Sequence, residues 1–219
     1  MNQRSAQLHL ETCKLMGVDF LPVSKSIVSP ETVSLSSLET LRVDHDTNCP
    51  HCTTSKSHTQ TVFGTGNEHA MLMFIGEAPG AEEDAQGVPF VGAAGQKLNQ
   101  IIEAMGMRRE DVYIANVLKS RPPNNRTPLP TEIAQCGPYL QKQIECVQPK
   151  VIVTLGAPAT KYILQTTNGI TKLRGTWGEY QGIRVMPTYH PSYLLRNYTT
   201  ETRKQVWSDM QQVQTAISD

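Results

Sequence analysis

The chain has 219 residues, enough to bury one sizeable core, and its 20 Lys and Arg residues are balanced by 20 Asp and Glu residues. A formal net charge of zero gives no overall attraction to polyanions, so any binding of nucleic acid must come from a local basic face. The apolar runs are too short to span a bilayer, and the N-terminus has no signal-peptide core. We therefore expect a soluble, cytoplasmic protein that does not bind membranes.

The first 46 residues are predicted to form an N-terminal helix and a linker. Residues 1–20 carry a weak helical pattern of leucines that is closed by Gly17. Residues 21–46 are rich in Ser, Thr, Val and Pro without a sustained period, which predicts a loosely packed linker. The main domain is therefore placed at residues 47–219.

The cysteines favour metal ligation over disulfide bonds. They are odd in number and include one close pair, without a secretory context: Cys13, Cys49, Cys52, Cys136 and Cys146. A Cys-x-x-Cys pair in such a chain is typical of a metal or cluster site.

The rest of the chain alternates between predicted strands and helices. Residues 70–75 are a continuous apolar run that ends at Gly76, as expected for a strand buried on both faces. Further strands are predicted at 112–116, 151–155 and 183–187, and helices at about 93–105, 131–147, 158–164 and 200–216. This alternation predicts an α/β fold, with a mostly parallel sheet covered by helices.

Polar side chains follow three of these strands. Glu77 comes directly after the first strand, Asn116 closes the second, and His190 follows the last. Ligand sites of open α/β sheets lie outside the carboxyl ends of the strands. We therefore expect these three residues to converge on one crevice.

Four separated motifs, in order, resemble those of the family 4 uracil-DNA glycosylases. They are residues 76–80 (GEAPG), 89–95 (PFVGAAG), 116–125 (NVLKSRPPNN) and 190–196 (HPSYLLR). The likeness extends over roughly residues 49–197. It implies a three-layer α/β/α sandwich, excision of uracil from single- or double-stranded DNA, and a 4Fe–4S cluster.

The resemblance gives several residues a role in holding a flipped-out uracil. Phe90 resembles the ring on which the base stacks, although a core Phe in a loop is as compatible with composition. Asn116 offers an amide donor to uracil O4 and a carbonyl acceptor to N3–H, a pattern that cytosine reverses; a turn Asn is the alternative. Backbone amides around Ala78 supply further donors. In the family, the acidic stretch after the first motif forms the wall against the 5-methyl of thymine. Glu83 is the candidate for that wall, with ordinary solvated charges as the alternative for Glu82 and Asp84 beside it.

Cleavage of the glycosidic bond leaves negative charge on uracil and positive charge on the sugar. His190 resembles the donor that stabilises the anion at uracil O2. Glu77 lies where a carboxylate positions water or stabilises the sugar, and the sequence leaves open whether it acts as a base.

Other residues are candidates for contacts with DNA. Leu194 is chosen over Leu195 to fill the gap left by the flipped base, with burial of both leucines as the alternative. Four basic side chains are expected to contact phosphates: Lys119, Arg121, Arg126 and Arg196.

The cysteines depart from the family pattern, which holds its cluster with four thiolates. Cys49, Cys52 and Cys136 match that pattern, whereas Ser120 occupies the remaining position. A serine alkoxide is a harder and poorer ligand for this iron. We expect a labile three-cysteine cluster, a serine-ligated cluster or none, with zinc less favoured.

Together these features predict a monomeric, monofunctional enzyme that hydrolyses the N-glycosidic bond of uracil in DNA and leaves an abasic site. No Lys is placed as a nucleophile in the motifs, which argues against a lyase step. The alternative is a non-catalytic nucleic-acid-binding or sensing protein of the same fold that lost its cluster with the thiolate at Ser120.

Overall fold

The computed structural model of the protein describes residues 37–218, so the helix predicted at 1–20 lies outside the described residues. The strands within this range are β1 (Thr65–Gly66), β2 (Leu72–Gly76), β3 (Tyr113–Asn116), β4 (Val151–Leu155), β5 (Gly178–Tyr180) and β6 (Ile183–Thr188). The α-helices are α1 (Ser37–Asn48), α2 (Ala81–Gln86), α3 (Ala93–Ala104), α4 (Pro130–Val147), α5 (Ala157–Leu164), α6 (Ile170–Leu173), α7 (Pro191–Arg196) and α8 (Thr200–Ser218).

The six strands of the described range form one sheet in the order β1-β3-β2-β4-β6-β5. The four central strands run parallel, and the short edge strands β1 and β5 each pair antiparallel with a neighbour. The predicted mostly parallel sheet is therefore confirmed. The parallel strands are buried on both faces, as their continuous apolar runs indicate.

Alternate residues of the strands face two separate helical layers. Ile75 of β2 belongs to a core with helices α1, α4 and α5, whereas Phe74 belongs to a core with α3, α7 and α8. This period of two follows from the pleat of a strand. The result is the three-layer α/β/α sandwich that the resemblance implies.

The linker prediction is wrong at its C-terminal end, because Ser37–Asn48 forms α1. Leu38, Leu41 and His45 of this helix are buried, and its two leucines join the core beneath α4. The segment is polar overall, so its helix is stabilised by tertiary packing rather than by a strong apolar stripe of its own.

The carboxyl ends of β2, β3 and β6 lie at one edge of the sheet, as the parallel register requires. Gly76, the last residue of β2, lies beside Asn116, the last residue of β3. β6 ends at Thr188, two residues before His190. Among the residues that the structure describes, no helix is long and apolar enough to cross a membrane.

Candidate active site

A cavity of about 490 Å³ opens at this edge of the sheet. It is lined by residues from three strand ends and from the loops that follow them: Glu77, Ala78, Pro79, Gly80, Glu83, Phe90, Ala94, Asn116, Pro122, Asn125, Arg126, Thr127, His190, Ser192 and Arg196. Its size suits a small ligand, and most of its lining comes from the four sequence motifs. The cavity therefore brings Glu77, Asn116 and His190 together, as the strand ends predict.

The floor of the cavity is built around Gly76. A Cβ at this position would lie 2.3 Å from Asn116 Oδ1 and 2.5 Å from Phe90 Cζ, so only glycine leaves room for both side chains. Asn116 is buried, and its Oδ1 has no hydrogen-bond partner among the described residues. An unpaired buried acceptor costs free energy, which a ligand N–H would recover.

Phe90 holds a backbone conformation that side chains rarely adopt, with φ at +53°. Its backbone passes so close to Gly95 that a Cβ there would lie 2.0 Å from the Phe90 carbonyl. Arg109 donates to the carbonyl of the preceding residue, Pro89. The Phe90 ring is largely buried and lies 5.6 Å from the His190 ring, centroid to centroid. The loop therefore fixes a flat apolar face in the cavity.

Glu83 ties two loops of the cavity together. Its carboxylate accepts hydrogen bonds from the backbone amides of Gly80, Val91 and Gly92, at 2.9–3.1 Å. The carboxylate thus fixes the loop that carries Phe90 and also lines the cavity. Its predicted contact with the 5-methyl of thymine stays a prediction.

His190 is held in one tautomer by Ser192. The Ser192 backbone amide donates to His190 Nδ1 at 3.1 Å, and the Ser192 hydroxyl lies 2.7 Å from the same nitrogen. Burial, reinforced by the positive charge of Arg196, lowers the pKa of His190 to about 4. At neutral pH the ring is therefore uncharged, accepts at Nδ1 and carries its proton on Nε2.

Glu77 and Ala78 form the wall that follows β2. Burial raises the pKa of the Glu77 carboxyl above its ordinary value, and a hydrogen bond with Thr127 opposes that shift. A partly desolvated carboxylate in a cavity can accept a proton or stabilise a nearby cation. Ala78 lines the same wall beside it.

The predicted DNA contacts divide between the surface and the core. Arg196 and Arg126 line the cavity, and Arg126 also pairs with Glu132, whose pKa it lowers to about 2. Arg121 lies on the adjacent loop and donates to Asn125. Two arginines thus line the cavity and a third lies beside it, although the chain has no formal net charge.

Two predicted DNA contacts are wrong because the structure buries them. Lys119 is fully buried, and its Nζ donates to the Asn116 carbonyl and to Gln143, so it cannot reach a phosphate. Leu194 is 3% exposed and packs in the core, whereas Leu195 is 43% exposed. The exposed leucine of α7 is therefore Leu195.

A second cluster of polar side chains lies behind the cavity, between α1 and α4. It brings together His45, Cys49, Cys52 and Cys136, whose ligand atoms all lie within 4.8 Å of one another. All four residues are buried. Ser120 is also buried there, with its hydroxyl 3.4 Å from the Cys52 thiol. The three predicted cysteine ligands therefore meet at one place, in a group that could bind a metal.

The sequence model of the Uracil DNA glycosylase superfamily matches residues 63–211. The chain belongs to this superfamily. A type-4 uracil-DNA glycosylase of Thermotoga maritima is 47% identical over 171 residues, which cover 77% of this chain and 89% of the relative. Type-4 enzymes of Archaeoglobus fulgidus (44%; 76% of this chain, 86% of the relative) and Saccharolobus solfataricus (45%; 81% and 86%) are also similar. These matches place the chain in the type-4 family.

Within this type-4 chain, the His/Cys group fits the binding of an iron–sulfur centre in its three thiols. The fourth position offers the Ser120 hydroxyl where the family pattern has a thiol. The sequence did not reveal His45 as a neighbour of these cysteines. Its signal was its place four residues before Cys49, which is the spacing of one helical turn.

Proposed function

We propose that the protein excises uracil from DNA by hydrolysing its N-glycosidic bond, leaving an abasic site without a lyase step. The observation that carries this proposal is the pairing, in one cavity, of the unpartnered Asn116 Oδ1 with the neutral His190 ring. The Asn116 oxygen is an acceptor that lacks a donor, and the His190 ring is a donor suited to a developing anion. The relatives named uracil-DNA glycosylases support the same activity.

Recognition of the base depends on the floor of the cavity. A uracil stacked on Phe90 presents N3–H to Asn116 Oδ1 and O4 to the side-chain amide. Cytosine has an unprotonated N3 and an amino group at C4, so it would leave both Asn116 groups mismatched. Glu83 closes the cavity wall against the 5-methyl of thymine.

Bond cleavage depends on His190 and Glu77. The hydrogen on His190 Nε2 is donated to uracil O2 as negative charge accumulates there, and the Ser192 amide at Nδ1 keeps that tautomer in place. A neutral donor binds the departing anion without first losing or gaining a proton. Glu77 places water below the sugar, stabilises its positive charge, or does both.

Contacts with the DNA strand lie around the mouth of the cavity. Arg121, Arg126 and Arg196 bind phosphates, and the exposed Leu195 fills the gap that the flipped nucleotide leaves. We propose that the protein acts inside the cell, as a monomer, on single- or double-stranded DNA.

We also propose that the three thiols carry the 4Fe–4S cluster that the resemblance implies, without the fourth thiolate that Ser120 replaces. A metal centre held by Cys49, Cys52 and Cys136 would link the turn after α1 to α4, beside the loop that follows β3. Its contribution is structural, because the reacting groups of the cavity come from other residues.

The activity is tested with labelled oligonucleotides that carry a single uracil, in single and double strands, scored for strand scission after alkali treatment. Matched strands with thymine or cytosine at the same position are the controls. Scission only at uracil is expected. Binding of the uracil strand without scission by the folded protein would favour the non-catalytic alternative.

A further inference from the structure

We propose that His45, and not Ser120, supplies the fourth ligand of the metal centre, beside Cys49, Cys52 and Cys136. The inference rests on the proposed metal centre but does not depend on uracil excision. The ligand set would then be three thiolates and one imidazole, in place of the four thiolates of the family pattern.

The backbone brings His45 to the thiols. His45 lies in the last turn of α1, and Cys49 follows the helix directly, with its backbone amide bonded to the His45 carbonyl at 2.9 Å. Cys52 follows in the next turn, and Cys136 comes from α4. The Cys52 and Cys136 sulfurs are 3.6 Å apart, and His45 Nε2 lies 3.9 Å from the Cys136 sulfur. One metal centre therefore reaches ligand atoms of all four residues.

A carboxylate orients the His45 ring. His45 Nδ1 lies 2.8 Å from Asp46 Oδ1, which also accepts a hydrogen bond from the Thr61 hydroxyl at 2.8 Å. An ionised carboxylate can only accept, so the Nδ1 nitrogen carries the proton. Nε2 is then the ring nitrogen that faces the thiols, with the Cys136 sulfur 3.9 Å away. A carboxylate behind a ligating imidazole is the usual arrangement in metal sites.

The surroundings of His45 leave its Nε2 little access to water. The side chain is fully buried, with its ring 5.6 Å from the Phe63 ring and 4.9 Å from the Tyr139 ring, between centroids. A buried polar nitrogen is costly unless it is bonded. In the structure the partner of Nε2 is the Cys136 thiol at 3.9 Å, and a metal held between these ligands would take the place of that contact.

Ser120 is the weaker candidate for the same position. Its hydroxyl must lose a proton before it ligates, and the resulting alkoxide is a hard oxygen donor beside three soft sulfurs. An imidazole nitrogen accompanies thiolate ligands in both zinc and iron–sulfur proteins.

The test compares metal retention in three variants after anaerobic reconstitution with iron and sulfide. His45→Ala should lose bound metal to a chelator at least about tenfold faster than the unmodified protein, since a ligand is removed. Ser120→Ala should retain it, as should His69→Ala, which removes an exposed histidine. Nitrogen hyperfine coupling in the pulsed electron paramagnetic resonance spectrum should disappear with His45 alone. Retention by His45→Ala with loss in Ser120→Ala overturns the proposal.

A rescue variant covers the case in which His45→Ala does not fold. A cysteine at position 120 would place a thiol beside Cys52, where the Ser120 oxygen lies 3.4 Å from that sulfur. The double variant His45→Ala, Ser120→Cys should therefore recover a folded, metal-loaded protein with no nitrogen coupling. Failure of this double variant to hold metal, with the Ser120→Cys single variant loaded, overturns the proposal.

Metal analysis and uracil excision on the same preparations separate the proposals. His45-dependent binding of one zinc ion, without acid-labile sulfide, supports the ligand assignment and overturns the iron–sulfur identity. Loaded protein that does not excise uracil overturns the proposed activity and leaves the ligand assignment standing. Unmodified protein that binds neither iron nor zinc overturns the ligand assignment.

Discussion

His190 is the residue on which bond cleavage should depend most strongly. The variant His190→Ala removes the donor to uracil O2, and loss of such a donor lowers the chemical rate by about 10²–10³-fold. The measurement is the single-turnover rate of uracil excision, with the exposed His69→Ala variant as control. A His190→Ala rate within a few-fold of the unmodified protein would contradict the assigned role.

The low pKa of His190 also predicts how stability depends on pH. The folded ring has a pKa of about 4 against an ordinary value of 6.5, so between these values the unfolded chain binds a proton that the folded chain refuses. The free energy of unfolding therefore falls as pH falls through this window. The variant His190→Asn lacks this titrating ring. Between pH 7 and pH 4.5 its free energy of unfolding should therefore fall less than that of the unmodified protein, by on the order of 2 kcal/mol. Urea unfolding of both proteins at the two pH values measures the difference, and parallel losses would contradict the neutral ring.

Asn116 should set the choice between uracil and cytosine. The variant Asn116→Asp replaces the amide donor by an acceptor, which repels uracil O4 and suits the cytosine amino group. We expect excision of uracil to fall by at least about 10²-fold, and excision of cytosine to become detectable relative to the unmodified protein. Paired oligonucleotides with uracil or cytosine at one position measure the ratio. An unchanged ratio would place base discrimination elsewhere.

The sequence predicted correctly that three strand-end residues meet in one cavity, but it did not predict the burial of two residues within the motifs. Glu77, Asn116 and His190 each follow a strand of the parallel sheet, so their meeting in one cavity follows from the strand order. Lys119 and Leu194 lie inside equally specific motifs. Which side of the chain they face depends on tertiary packing, which spacing does not encode.

At the level of secondary-structure elements, the fit of β2 against the floor of the cavity depends on Gly76, the last residue of the strand. The variant Gly76→Ala places a methyl group within 2.3–2.5 Å of Asn116 and Phe90, so both must shift from the cavity floor. We expect excision to fall by more than about tenfold, because small displacements of positioning groups are costly to rate. Gly169→Ala is the matched control, since a Cβ there meets nothing within 4 Å. Equal excision rates for the two variants would contradict the role of Gly76 in positioning Asn116 and Phe90 at the floor of the cavity.

The helix α1 shows why element prediction failed near the N-terminus. Its sequence, SLETLRVDHDTN, is polar apart from a few residues and follows a stretch rich in Ser, Val and Pro. It is held by the burial of Leu38 and Leu41 against the rest of the core. The same helix positions His45 and leads into Cys49, so the missed helix and the missed neighbour of the cysteines have one cause.

At the scale of the whole molecule, equal numbers of acidic and basic residues leave DNA binding to the rim of the cavity. The parallel strands direct their carboxyl ends, and the loops that carry Arg121, Arg126 and Arg196, to one edge of the sheet. Arg184 near the start of β6 lies at the opposite end of the strands. Phosphate contacts should therefore be few and confined to one edge.

This asymmetry predicts a shallow salt dependence of DNA binding. Each phosphate neutralised contributes a slope of about −0.9 to log K against log salt on duplex DNA, so three arginines give roughly −3 at most. Arg196→Ala should reduce the magnitude of that slope by about 1, whereas Arg184→Ala should leave it unchanged. Fluorescence anisotropy titrations at several salt concentrations measure the slopes, with His190→Ala as the background to prevent turnover. Equal slopes for the two arginine variants would mean that Arg196 is not a phosphate contact, and that the basic edge of the cavity does not govern association.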